Sequence, residues 1–263
     1  MVEFQAVVLS YLVMAAEPKE SAVGTERSER FDTTLWSMVR RAGDSQASRS
    51  GEALERLCSA YWYPIYVYVR RRGKDPEEAL DLTQEFFARL LEKKWLQDAN
   101  PARGRFRTFL LTAVEGFLSN EWKKSQTAKR GSGRLNKAFD AAEAEERFAQ
   151  EAQENATPDA LFDRRWALTL IGRAQDRLRD EEVRSGESAR FTALEPTLAG
   201  DHTEEGYRDL AERFGVTENT VKSWVYRLRR KFRSLLIEEI AQTLDEGQDP
   251  NAELSELFAA LTR

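Results

Sequence analysis

The chain has 263 residues, enough for two small domains or one large one. Charged residues make up 32% and apolar residues 41%, with Pro scarce and helix formers plentiful, so the expected fold class is all-α. The net charge of −5 argues against a uniformly basic nucleic-acid coat; a single cysteine, Cys58, and a single histidine, His202, exclude an internal disulfide and a Cys/His metal cluster, and nucleophile–histidine chemistry has no partners in evidence. There is no phosphate-cradling glycine loop, and no carboxylate pair stands in a cleft-like context. The expectation is a non-enzymatic protein without metal or cofactor.

Residues 1–30 read as an N-terminal arm. Its apolar run, Phe4 to Ala16, is too short to span a bilayer and lacks a basic leader, since Glu3 precedes it. Either translation starts at Met14, leaving the first thirteen residues outside the protein, or the run is a short extra helix or a disordered arm. With no longer apolar run, a cytoplasmic protein without membrane contact is expected.

A first domain is expected over 31–130. A helix is predicted from Thr33 to Arg41, with Leu35, Trp36 and Val39 on one face, then a small polar loop from Ala42 to Gly51. From Glu52, the spacing of Leu54, Leu57, Cys58, Tyr61, Ile65, Tyr66 and Val69 predicts a helix kinked at Pro64 and ended by the bases Arg70 to Arg72 and Gly73. Cys58 reads as a small core residue on that face. Asp75 caps the next helix, Pro76 takes its first position, and Glu77 and Glu78 favour its positive end. Ala79, Leu82, Phe86 and Leu90 make its inner stripe, while Asp81, Gln84, Glu85 and Ala88 fall on another face. After a loop from Gln97 to Arg105, a further helix runs to about Lys124, with Phe106, Phe109, Leu110, Ala113 and Phe117 inward.

Charge then comes in blocks. Trp122 to Lys137 holds six bases and no acid, and Ala138 to Asp163 holds eight acids and one base. Residues 131–157, opened by Gly131-Ser132-Gly133, read as a flexible acidic linker. A second domain is expected over 158–244. It begins with a helix through Leu161, Trp166, Leu170, Ile171 and Leu178, followed by a short helix near Arg190 to Leu198. A tail over 245–263 ends in an amphipathic helix bearing Leu254, Leu257, Phe258 and Leu261, behind a hinge at Gly247 to Pro250. That tail either finishes the second domain or folds over a binding face.

Tyr207 to Arg233 carries the strongest signal. Leu210, Ala211 and Phe214 form one apolar face, Gly215 supplies a tight turn and Thr217 an N-cap. Val221, Val225, Leu228 and Phe232 recur at helical steps. From Lys222 to Arg233 there are six bases and no acid. A helix-turn-helix whose second helix carries such charge suits the DNA major groove.

Leu80 to Leu91, with its Asp-Leu-Thr-Gln-Glu-Phe-Phe core, resembles the polymerase-binding segment of bacterial sigma factors. Arg105-Phe106-Arg107-Thr108-Phe109-Leu110 resembles the start of their promoter-melting helix, and Tyr207 to Phe232 resembles their minus-35 module. Their order, without a middle domain, resembles the extracytoplasmic-function group of the sigma-70 family. The resemblance covers roughly Leu54 to Lys129 and Leu161 to Glu239. It implies that Asp81, Gln84, Glu85 and Phe87 meet the clamp helices of the largest subunit of core RNA polymerase, and that the flap region is a second polymerase contact. It implies that Arg103, Arg105, Phe106, Arg107, Asn120, Trp122, Lys123 and Lys124 hold the melted minus-ten strand, which needs stacking faces and cations. Phe106 and Phe109 suit a core equally well, and Phe109 is assigned there. At minus-35 the implied set is Thr217, Asn219, Lys222, Ser223, Tyr226, Arg227 and Arg230, with Lys222, Ser223, Tyr226 and Arg227 nearest the bases and Arg229, Arg230 and Lys231 expected on phosphate or facing solvent. The chain departs from the family at Glu115 and Gly116, where Arg and Asn are usual, and Glu115 would repel phosphate. It also departs at Trp224, usually Arg, which either lines the sugar-phosphate wall or extends the core towards the preceding helix.

The implied partners are core RNA polymerase and promoter DNA, with a separate anti-sigma protein or kinase as a further possibility and a monomer when free. The competing expectation is a dimeric helix-turn-helix regulator that acts without polymerase. It accounts for the second domain but not for the Asp81 face or the charge blocks.

Overall fold

The computed structural model describes residues 47–91, 105–125, 144–146, 148, 156–199, 204–245 and 248–262. The expectations for Phe4 to Ala16, for the helix from Thr33 to Arg41, for Arg103 and its loop, for the basic tail to Lys137 and for Gly247 fall outside these residues. The helices are α1 (Ala47–Arg71), α2 (Pro76–Leu91), α3 (Phe106–Ser125), α4 (Pro158–Arg184), α5 (Ser188–Leu194), α6 (Glu204–Phe214), α7 (Glu218–Ala241) and α8 (Pro250–Thr262), with a 3-10 turn at Glu195–Ala199. Among the described residues there is no strand, only an isolated bridge between Arg105 and Leu244, so the protein is all-α. No helix of the described residues is long and apolar enough to cross a membrane.

Two compact units emerge, one within Arg30–Thr169 plus Ala241–Asp249, the other within Leu170–Ile240 plus Pro250–Arg263. The expected boundary was at residue 158, whereas the units divide inside α4. Aromatic packing accounts for part of this. Phe162 stacks on Tyr61 at 6.2 Å between ring centres and meets Tyr68 edge-on at 6.5 Å, tying the start of α4 to α1.

In the first unit, α1 begins at Ala47, so the helix already covers the last residues of the expected loop over 42–51. It runs through Pro64, which removes one backbone donor without ending the helix. Ile65 to Val69 are all buried, not only one stripe. A helix apolar all round needs neighbours on every side, and here α2, α3, α4, Glu145 and Phe148 supply them. Gly73 takes φ 86° and its N–H reaches the Arg70 carbonyl at 3.1 Å, closing α1 as expected. Asp75 caps α2, accepting the Glu78 N–H at 2.8 Å. The inner stripe of α2 is Ala79, Thr83, Phe86 and Leu90, with Leu82 only half-buried. Thr83 tolerates burial because its hydroxyl donates to the Ala79 carbonyl at 2.7 Å. On α3, Phe106, Leu110, Val114 and Phe117 are buried.

The second unit is built on α7. Gly215 at φ 63° joins α6 to α7. The Val216 N–H reaches back to the Ala211 carbonyl at 3.0 Å and the Gly215 N–H to the Glu212 carbonyl at 3.2 Å, the paired bonds of a Schellman turn. Thr217 then caps α7, its Oγ1 accepting the Thr220 N–H at 3.2 Å. Val221, Val225, Leu228 and Phe232 are buried, as their spacing predicts. Arg177 of α4 forks to Glu238 at 2.6 Å and Glu239 at 2.7 Å, fastening the far end of α7. The tail forms α8, and Leu254, Leu257, Phe258 and Leu261 are all buried.

Candidate functional site

The outer face of α2 is acidic. Asp81 and Glu85 are exposed and Gln84 is half-buried. Arg89 pairs with Glu85 one turn away, reaches Glu121 of α3 at 2.8 Å and lies over the Phe117 ring at 5.0 Å. Glu85 is thereby partly neutralised, and Asp81 is left as the acid of this face that no cation among the described residues engages. Phe87 does not share the face. It is 7% exposed and packs edge-on against Phe86 at 5.2 Å, so its expected place at the polymerase surface is corrected to the core. The cause is geometric: positions 86, 87 and 90 of one helix fall on adjacent rows, and the wide buried face of α2 takes all three.

The residues expected at the minus-ten strand divide into two groups. At the start of α3, Phe106 is 0% exposed and meets Tyr61 edge-on at 5.0 Å, which makes it a core ring. Phe109, half-buried, stacks on it at 6.2 Å. Arg107 pairs with Asp163 at 2.8 Å and lies over Trp166 at 4.8 Å. Its guanidinium is therefore spent on α4 rather than offered to phosphate. Arg105 takes part in the bridge to Leu244. At the other end of α3, Asn120 is exposed and Trp122 is 60% exposed. The side chains of Lys123 and Lys124 lie outside the described residues. Glu115, the departure from the family pattern, accepts from Tyr68 Oη and from Arg72 Nη2, both at 3.0 Å.

The exposed face of α7 gathers the other set. Asn219, Lys222, Ser223, Tyr226, Arg227 and Arg230 are all exposed, and Tyr226 is 56% exposed despite its ring. Arg227 turns its Nε to the Ser223 carbonyl at 3.3 Å, and no acid among the described residues pairs with it. Lys222 lies over the Tyr207 ring of α6 at 5.8 Å. Thr217 serves the helix as cap.

Three bases of the run have structural partners instead. Arg229 donates to the Thr197 carbonyl at 2.9 Å. Lys231 meets Glu181 at 3.1 Å and Glu182 at 2.8 Å. Arg233 reaches Asn251 Oδ1 at 3.4 Å. The expectation that Arg229 and Lys231 face phosphate or solvent is corrected: both sit on the flanks of α7, where neighbouring elements supply acceptors. Trp224 resolves towards packing, edge-on to Phe214 at 5.8 Å with Arg190 at 5.2 Å over its ring.

One contact had no sequence expectation behind it. Within the acidic stretch, Ala144 and Phe148 are buried, so this part is docked rather than free linker. Arg70 forks to Glu145, with Nη2 to Oε1 at 2.6 Å and Nε to Oε2 at 3.1 Å, and Tyr66 Oη donates to the same carboxylate. The Phe148 ring lies under Arg70 at 4.5 Å. Arg70 holds the Glu145 carboxyl below its usual range, and burial, helped by Glu145, pushes Tyr66 up to about 12. A depressed carboxyl contributes stability above the ordinary Glu range, near pH 4.3, and loses it as pH falls through the lowered value. Glu145→Gln is expected to loosen residues 144–148 by about 1 kcal/mol at neutral pH. Faster amide exchange confined to that segment would show it, and unchanged exchange would leave the docking to Phe148 alone.

Residues 59–127 match the family model described as sigma-70 region 2. That match likens this stretch, which holds most of α1 and all of α2 and α3, to region 2 of sigma-70 factors. No curated protein and no solved structure matches the chain.

Proposed function

We propose that this chain is an alternative sigma factor of the extracytoplasmic-function group. It has no catalytic chemistry of its own and works in the cytoplasm. Through Asp81, Gln84 and Glu85 it docks on the clamp helices of core RNA polymerase, where acid and amide groups on one helix face suit a basic partner. The C-terminal end of α3, with exposed Asn120 and Trp122, takes the melted minus-ten strand by stacking. The helix-turn-helix of α6 and α7 reads minus-35 duplex through Lys222, Ser223, Tyr226 and Arg227, with Arg230 on phosphate. Thr217 and Asn219 stand at the α7 N-terminus, where phosphate is favoured.

The observation that carries this proposal is chain order: a stretch matching sigma-70 region 2 is followed, in the same protein, by a capped basic helix with an open polar face. The test is run-off transcription with core enzyme on a genomic library, with start sites mapped. Gel filtration adds a second arm. Co-elution with core supports the sigma factor, and a stable homodimer indifferent to core supports an operator-binding regulator.

Arg227→Ala is expected to cost about 1–3 kcal/mol of binding to cognate minus-35 duplex, one lost base contact. Binding to cognate and scrambled duplexes separates the roles. Equal losses on both would reduce Arg227 to a phosphate contact.

A further inference from the structure

A cavity of about 140 Å³ lies between the end of α4, α5 and the middle of α7, all within one compact unit. Its buried walls are apolar: Phe191 and Leu194 of α5 and Leu228 of α7, beside the half-buried ring of Trp224. Arg227, exposed on α7, stands at its open side. An apolar cavity of roughly 150 Å³ takes a molecule the size of benzene, so a ligand here is small.

The charged residues around the cavity set the ligand's charge. Arg190 pairs with Glu187 at 3.1 Å and lies over the Trp224 ring. Lys231 is held by Glu182, which shares the wall, and by Glu181. Arg227 differs: its Nε donates to the Ser223 carbonyl, and its two terminal nitrogens have no acceptor among the described residues. The bases Arg190, Arg227 and Lys231 are matched in number by Glu181, Glu182 and Glu187, so an anion is held here by the donors of Arg227 and not by a broad positive field. Glu182 on the wall also disfavours a dianion. A guanidinium offers a carboxylate two parallel N–H bonds, and apolar walls with a few convergent polar groups are the usual make-up of a small-molecule site.

We propose that this cavity binds a small aromatic monocarboxylate, with the ring against Trp224, Phe191, Leu194 and Leu228 and the carboxylate on Arg227. The site is also regulatory, which rests on the minus-35 role argued above. A guanidinium closed on a carboxylate is withdrawn from guanine, so ligand and promoter compete for Arg227. By linkage, each weakens binding of the other by the same factor.

Benzoate is the probe. It is titrated into the full chain and followed by the indole N–H resonance of Trp224, one of six tryptophans, assigned by its loss in Trp224→Phe. A saturable shift is expected. Benzamide has the same ring without the charge and is expected to bind at least about tenfold more weakly, because the charge-assisted hydrogen bonds are lost. The same loss is expected for benzoate with Arg227→Gln, an exposed position whose change leaves the circular dichroism intact. Inorganic phosphate, without a ring, is expected to give no saturable shift. No saturation by benzoate, equal binding of benzamide or phosphate, or unchanged binding to Arg227→Gln overturns the site. A minus-35 duplex from a start site mapped by run-off then tests the competition. Saturating benzoate is expected to weaken its binding about tenfold, the size of one base contact, and unchanged duplex binding overturns the regulatory role. A chain that directs no run-off yet binds benzoate in this pattern loses the sigma-factor function and keeps the site.

Discussion

Asp81→Lys combined with Gln84→Ala is expected to abolish co-purification with core RNA polymerase while leaving the helices intact. Asp81 is exposed, and Arg89 already answers the neighbouring Glu85. Asp81 therefore carries most of the uncompensated negative charge of this face. Reversing it sets like charge against a basic partner, which costs several kcal/mol at an interface. Neither side chain belongs to the buried stripe of Ala79, Thr83, Phe86 and Leu90, so stability should move by no more than about 0.5 kcal/mol. A pull-down with core and a circular dichroism melt decide it together. Retained capture would move the polymerase contact off α2, and a lost helical signal would make both residues structural.

Phe106→Ala is expected to be far more damaging to folding than to any single DNA contact, at about 3–5 kcal/mol of stability. Its ring is fully buried between Tyr61 and Phe109, and removing it opens a cavity where α1 meets α3. Domains of this size hold roughly 5–15 kcal/mol in total, so the first unit should unfold early in urea. Phe109→Ala, half-buried, should cost less. A Phe106→Ala protein as stable as its parent but poor at single-strand binding would return the ring to the minus-ten surface.

The helix ends were the most legible part of this chain. Asp75 before Pro76, Gly215 at the turn and Thr217 before α7 each act through neighbours one to five residues away, and sequence shows those neighbours directly. The apolar stripe of α7 was legible for the same reason. What sequence did not show were choices made by distant partners. Arg229 and Lys231 look like their neighbours Arg227 and Arg230, and only Thr197, Glu181 and Glu182 decide that they turn inward. Phe87 and Phe106 met the same limit, since a motif position says nothing of how wide the buried face of its helix is. Glu145 was one acid among eight in its block until Arg70, 75 residues away, picked it out. Phe148, an aromatic in a polar stretch, was the signal that part of the linker has a docking site.

Cys58 is buried on α1, and its thiol is pushed well above its ordinary range, by burial first and then by Glu55. Nucleophilic sulfur chemistry needs the thiolate. In the folded chain the sole cysteine is therefore a poor target for peroxide, alkylating agents or disulfide exchange. Oxidation or alkylation at Cys58 therefore requires α1 to open first. The same inertness makes the native protein a clean background for fluorophores: a cysteine placed on the open face of α7 would react with maleimide while Cys58 stays dark.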